Sequence, residues 1–112
     1  MNIVVHAKGG LSAEFKADVE AILTKGLARY AERITRIEIH FEDVNGPKGG
    51  VDHQCRLEAR LAGMQPVIVS DAAEETLGAL RGAIHKMDRL LDSTLGKQKD
   101  VKGSTSASGQ PT

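Results

Sequence analysis

The chain has 112 residues, enough for one domain and too few for two. Its formal net charge is zero, which argues against nucleic-acid binding by bulk charge but leaves room for a local basic face. Its single cysteine excludes an internal disulfide, and no apolar run is long enough to span a membrane.

In chain order, Asn2 to His6 read as a short strand that Gly9-Gly10 ends, with no secretory leader before it. Ser12 stands where a helix N-cap belongs, and Glu14 suits the positive end of the helix dipole. Phe15, Val19, Ile22, Leu23, Gly26 and Tyr30 then recur at helical spacing, predicting one helix of about four to five turns. Gly26 is expected to let that helix approach the sheet. Lys25, Arg29 and Arg33, spaced four apart, would line up along its outer side. Such a row reads either as a solvated face, with Glu32 as partner, or as a stripe that follows phosphates.

A second strand is predicted from Thr35 to Asp43, where Ile37, Ile39 and Phe41 alternate with Arg36, Glu38, His40 and Glu42. The run Val44 to Gly50, with three glycines and a proline, reads as a loop too long for a tight hairpin. Gln54 to Ala62 gives the clearest alternation in the chain. Cys55, Leu57, Ala59 and Leu61 point one way, and Gln54, Arg56, Glu58 and Arg60 the other. A turn at Gly63-Met64 leads to a fourth strand, Gln65 to Ser70, so these three strands form an antiparallel meander. On the wet face, opposite charges are expected to meet across strands. That face carries no aromatic residue for stacking bases. Cys55, on the apolar face, reads as a packing thiol suited to a reducing cytoplasm.

Asp71 with Glu74 resembles a capping box that opens the last helix. Leu77, Leu80, Ile84, Met87, Leu91 and Leu95 form its apolar stripe, and Gly96 is placed as its C-cap. Arg81, His85 and Arg89 lie on the outer side with Lys86 beside them, while Asp88 and Asp92 dilute the charge. From Lys97 the chain is rich in Ser and Gly and reads as a disordered tail, giving a domain over residues 1–96 and a tail over 97–112. The predicted fold is α+β: a β-α-β-β-β-α two-layer sandwich, with two helices on one face of a four-stranded sheet and the first two strands parallel.

No catalytic constellation emerges. His6, His40, His53 and His85 are scattered singly, although His6 and His40 could lie on adjacent strands. Glu74 and Glu75 point in different directions on a helix, and Ser12 lacks a paired base. No catalytic residue, metal site, cofactor or small-molecule substrate is therefore expected, and the protein is read as a non-enzyme.

Three stretches carry a family resemblance. They are Arg29-Tyr30-Ala31-Glu32-Arg33-Ile34, then Cys55 to Gly63, then the run Ala-Ile-His-Lys-Met-Asp-Arg-Leu-Leu within Leu77 to Leu91. In their order on this chain they resemble the ribosome hibernation-promoting factors, also called ribosome-associated inhibitor A or ribosomal subunit interface proteins. The resemblance implies a double-stranded-RNA-binding-domain-like fold. It also implies a cytoplasmic factor that binds small-subunit ribosomal RNA and blocks the messenger and transfer RNA channel of idle ribosomes. Lys86 and Arg89 match the basic residues of the last-helix motif, and Arg33 matches the junction arginine. Lys25, Arg29, Arg81 and His85 join them by helical spacing alone. The sequence looks like a short form without the dimerising domain of longer relatives, expected to be a monomer when free. His85 stands where the motif usually has Asp, and Gly78 and Gly82 are expected to loosen the last helix. The alternative is a protein-interaction module of the same fold with weak or no ribosome binding, suggested by the neutral balance. Reversing Lys86 and Arg89 to Glu is expected to weaken ribosome binding without unfolding the chain.

Overall fold

A computed structural model describes residues 1–45 and 51–103. The elements run β1 (Asn2–Ala7), α1 (Ala13–Gly26), a 3₁₀ turn (Ala28–Tyr30), β2 (Ile34–Asn45), β3 (Val51–Leu61), β4 (Val67–Ala73) and α2 (Thr76–Gly103). The four strands form one sheet in the order β1-β2-β3-β4. β1 pairs parallel with β2, and the other two pairings are antiparallel. This is the α+β sandwich expected from the pattern of elements. Among the described residues, no helix is long and apolar enough to cross a membrane.

The core follows from the alternation. Ile37, Ile39, Phe41, Cys55, Leu57, Ala59 and Leu61 are buried on one face of the sheet. Val19 and Leu23 from α1 meet them there, with Leu80, Ile84, Met87 and Leu91 from α2, in a single apolar cluster. Each large aliphatic side chain so buried contributes about 1.5–3 kcal/mol, and with few aromatics the core is built almost entirely from such residues.

Several local expectations are corrected. α1 stops at Gly26, where Leu27 departs from helical geometry (φ −114°, ψ 23°) and the chain tightens into the 3₁₀ turn. The apolar spacing reached Tyr30 because a 3₁₀ turn keeps Leu27 and Tyr30 facing the core, and both are buried. Gly26 serves a helix contact, not the sheet: a Cβ there would lie 2.5 Å from Ile84 Cγ2 on α2.

Val44 and Asn45 belong to β2, not to a loop, because the ladder to β3 continues to Asn45↔Val51. Residues 46–50 of the expected loop lie outside the described residues. β4 runs on to Ala73, so Asp71 pairs with Cys55 in the ladder and caps no helix. α2 opens at Thr76, with Ala79 N donating to Glu75 O at 3.0 Å. Gly96 does not end α2, which continues to Gly103 and so takes in the start of the expected tail. Residues 104–112 of that tail lie outside the described residues.

Candidate nucleic-acid interface

The basic residues singled out from the sequence fall on α1, on the 3₁₀ turn, in the corner before β2 and on α2. Ser12 caps α1 as expected, its Oγ accepting from Phe15 N at 3.1 Å. Lys25 lies in the last turn of α1, where the helix dipole favours a cation. Arg29 lies on the 3₁₀ turn, and Arg33 follows it just before β2. The predicted row therefore does not run along one helix, because α1 ends between Lys25 and Arg29. Backbone bonds from Tyr30 N to Leu27 O (3.0 Å) and from Arg33 N to Tyr30 O (2.9 Å) set the path of this corner.

Arg29 is committed elsewhere. Its Nη2 donates to Asp92 Oδ1 at 3.0 Å, and its Nη1 lies 3.9 Å from Asp88 Oδ1. Its guanidinium carbon also sits 5.1 Å from the centroid of the Tyr30 ring. The hydrogen bond to Asp92 raises the guanidinium pKa further, with the charge of Tyr30 next in effect. The two aspartates that appeared to dilute the basic row of α2 thus tie the 3₁₀ turn to that helix.

On α2, Arg81, His85 and Arg89 are exposed at four-residue spacing along an unbroken helix. None of the three forms an ion pair among the described residues, and the same holds for Lys25 and Arg33. Lys86 turns toward β4. Its Nζ donates to the Ser70 carbonyl at 2.9 Å and lies 3.2 Å from Asp71 Oδ1. Gly82 sits one turn back, and a Cβ there would collide with the Asp71 carboxylate. Gly82 therefore gives α2 a seat on β4, and Lys86 fastens it. The cost of this glycine in helix propensity is therefore set against a close seat on β4.

The open face of the sheet departs from its predicted pairing. The register sets like against like, Arg36 opposite Arg60 and Glu38 opposite Glu58. Ion pairs form instead along the strands, Arg36 to Glu38 at 3.1 Å and Arg60 to Glu58 at 3.2 Å. A bulge between Ile34 and Arg36 sets this register. Thr35 lies in it and donates its hydroxyl to Arg60 O at 2.9 Å. Partial burial pushes the Glu38 carboxyl up, but Arg36, His6, Arg60 and His40 outweigh it and hold its pKa below the usual range. Three histidine–carboxylate contacts went unseen in the sequence: His53 with Asp43 at 2.6 Å, and Glu38 with both His6 and His40. The only sequence-level hint was that His6 and His40 fall on strands that would be neighbours.

No family model matches the sequence, and no curated protein matches it. Solved structures do match. One is a ribosomal subunit interface protein from Coxiella burnetii, with a TM-score of 0.66 and 17% identity over 86% of this chain and 99% of that chain. Another is the N-terminal domain of Protein Y from Thermus thermophilus, with a TM-score of 0.61 and 16% identity over 84% of this chain and 99% of that chain. At such identities the likeness is one of fold, and it takes in the sheet and both helices. The chain has the fold of a ribosomal subunit interface protein.

Proposed function

We propose that this protein binds the ribosome and holds it inactive, as a cytoplasmic, non-enzymatic factor that occupies the messenger and transfer RNA channel of the small subunit. The observation that carries the reading is the likeness in fold, over most of this chain and nearly all of the other, to a ribosomal subunit interface protein. Residues 1–96 would form the ribosome-binding unit. Contacts would go mainly to ribosomal RNA phosphates, through charge and shape, because phosphate contacts position a protein without reading bases.

The proposed contact residues remain Lys25, Arg29, Arg33, Arg81, His85, Lys86 and Arg89, but they do not contribute equally. Lys25, Arg33, Arg81, His85 and Arg89 present exposed side chains. Arg29 and Lys86 already have carboxylate partners, so a phosphate would have to compete for them. Arg81 and Arg89 are therefore the better pair to reverse, since Lys86 also fastens α2 to β4. Arg81→Glu with Arg89→Glu should keep the circular dichroism and melting of the wild type and lose binding to isolated small subunits. Binding unchanged in that folded double variant would remove the interface. Loss of Lys86 and Arg29 to internal pairs also favours the second reading, a protein-interaction module of this fold. Absence of wild-type binding to small subunits near physiological salt would select it.

A further inference from the structure

The open face of the sheet, opposite the helices, brings together three metal-ligating side chains that lie far apart in the sequence. His6 on β1 stands in register with His40 on β2. Glu38 lies two residues before His40 on the same strand, so the strand period puts all three on one face. The two imidazoles stack with centroids 4.5 Å apart and planes within 8°. Both direct Nε2 at the same carboxylate oxygen, Glu38 Oε1, at 3.5 Å from His6 and 3.6 Å from His40.

The geometry points to a binding site for one divalent transition ion of the zinc type, held by His6 Nε2, His40 Nε2 and Glu38 Oε1. Two donors bound at about 2.1 Å in tetrahedral geometry lie about 3.4 Å apart. The two carboxylate–imidazole edges already have nearly that length. The third edge, between the ring nitrogens, falls within the 4.8 Å that bounds all three ligand atoms. His6 is half exposed at 49%, and a small swing of its ring closes that edge. Two imidazoles and one carboxylate suit zinc, cobalt or nickel, whereas calcium and magnesium prefer all-oxygen sets.

The surroundings support the assignment. Arg36 Nε holds the other oxygen, Glu38 Oε2, at 3.1 Å and leaves Oε1 to the ion. The site opens on a cleft of about 760 Å³ whose walls include His6, His40, Gln54 and Ser70. Three protein ligands leave a position for water or an outside donor from that cleft. Arg56, opposite His40 on β3, and Lys8 also line this cleft, but both side chains are exposed and can extend into solvent. The inference is independent of the ribosome reading, because the site and the helical basic surface lie on different layers.

The test is Co²⁺ titration of tag-free, chelator-stripped full-length protein, read by visible absorption, with Zn²⁺ displacement. One ion per chain is expected, with a tetrahedral-type spectrum that Zn²⁺ abolishes. His6→Ala and His40→Ala should each weaken binding more than about 100-fold, and Arg36→Gln, which touches only the ligand's support, about 10-fold. His53→Ala, which removes the histidine paired with Asp43, should leave binding unchanged. Circular dichroism would verify that each variant is folded, and all these side chains lie outside the apolar core. Failure of the folded wild type to take up one ion overturns the assignment. Uptake that survives either His6→Ala or His40→Ala, or that is lost equally in His53→Ala, overturns it as well.

Discussion

Gly82 offers the sharpest contest between sequence logic and packing. It lies inside α2, where replacing Gly by Ala ordinarily stabilises a helix by about 1 kcal/mol. In the fold, however, a Cβ at this position would overlap Asp71 Oδ2 and come within 2.8 Å of Asp71 Cγ and 3.3 Å of its Cβ. Turning the Asp71 carboxylate away gives up its pair with Lys86 at 3.2 Å, and its Cβ stays in place because the backbone is held in the β3–β4 ladder. Overpacking of this kind costs about 1–3 kcal/mol. Set against the propensity gain, Gly82→Ala should destabilise the protein by up to about 2 kcal/mol. Urea unfolding of Gly82→Ala, Asp71→Ala and the double variant separates the two effects. In the Asp71→Ala background the carboxylate is gone and only the Cβ contact at 3.3 Å remains, so Gly82→Ala should become stabilising by up to about 1 kcal/mol. A Gly82→Ala single variant that is about 1 kcal/mol more stable than wild type would refute the close helix–strand seat.

Other consequences can be checked with the same measurements. The Tyr30 hydroxyl is buried and has no hydrogen-bond partner among the described residues, so Tyr30→Phe should hold or raise stability by up to about 1 kcal/mol in urea unfolding; a clear loss would reveal a partner. Burial, with Asp71 adding to it, pushes the Cys55 thiol up to about 12. The folded chain therefore keeps a proton that the unfolded thiol loses near pH 9, and stability must fall as pH rises through that range. From pH 8 to 10 the wild type should lose about 1.4 kcal/mol more than Cys55→Ala; equal losses would contradict the burial. Lys86→Met should cost less than about 1 kcal/mol, since its pair with Asp71 is partly exposed, and most of that loss should vanish in an Asp71→Ala background.

Much of the architecture was legible because it rests on periodicity. The two-residue alternation of Gln54 to Leu61 and the heptad-like stripe from Leu77 to Leu91 each name a face, and a sheet with one greasy side needs helices to cover it. What stayed hidden depends on register and on backbone geometry that periodicity does not encode. The apolar spacing passes unbroken from α1 into the 3₁₀ turn, so it could not mark the end at Gly26. Asp71 looks like a cap in sequence, yet ladder pairing with Cys55 makes it a strand residue. The facing of Arg36 with Arg60 is set by the bulge at Thr35. The meeting of His6, Glu38 and His40 needed the parallel β1–β2 register, which no spacing in the sequence expresses. Of the candidate interface, Arg81, His85 and Arg89 could be placed from helical spacing because α2 is continuous there. The pairing of Arg29 with Asp92 and of Lys86 with Asp71 crosses between elements and was not readable.

Binding of this fold to the small ribosomal subunit through phosphate contacts is what we propose. Co-sedimentation of the purified protein with ribosomes and isolated subunits across a salt series tests it most directly. Retention on the small subunit should fall steeply with salt, in proportion to the number of phosphates contacted, and transfer RNA should compete it away. Absence of retention even at low salt, or retention indifferent to both salt and transfer RNA, would contradict it.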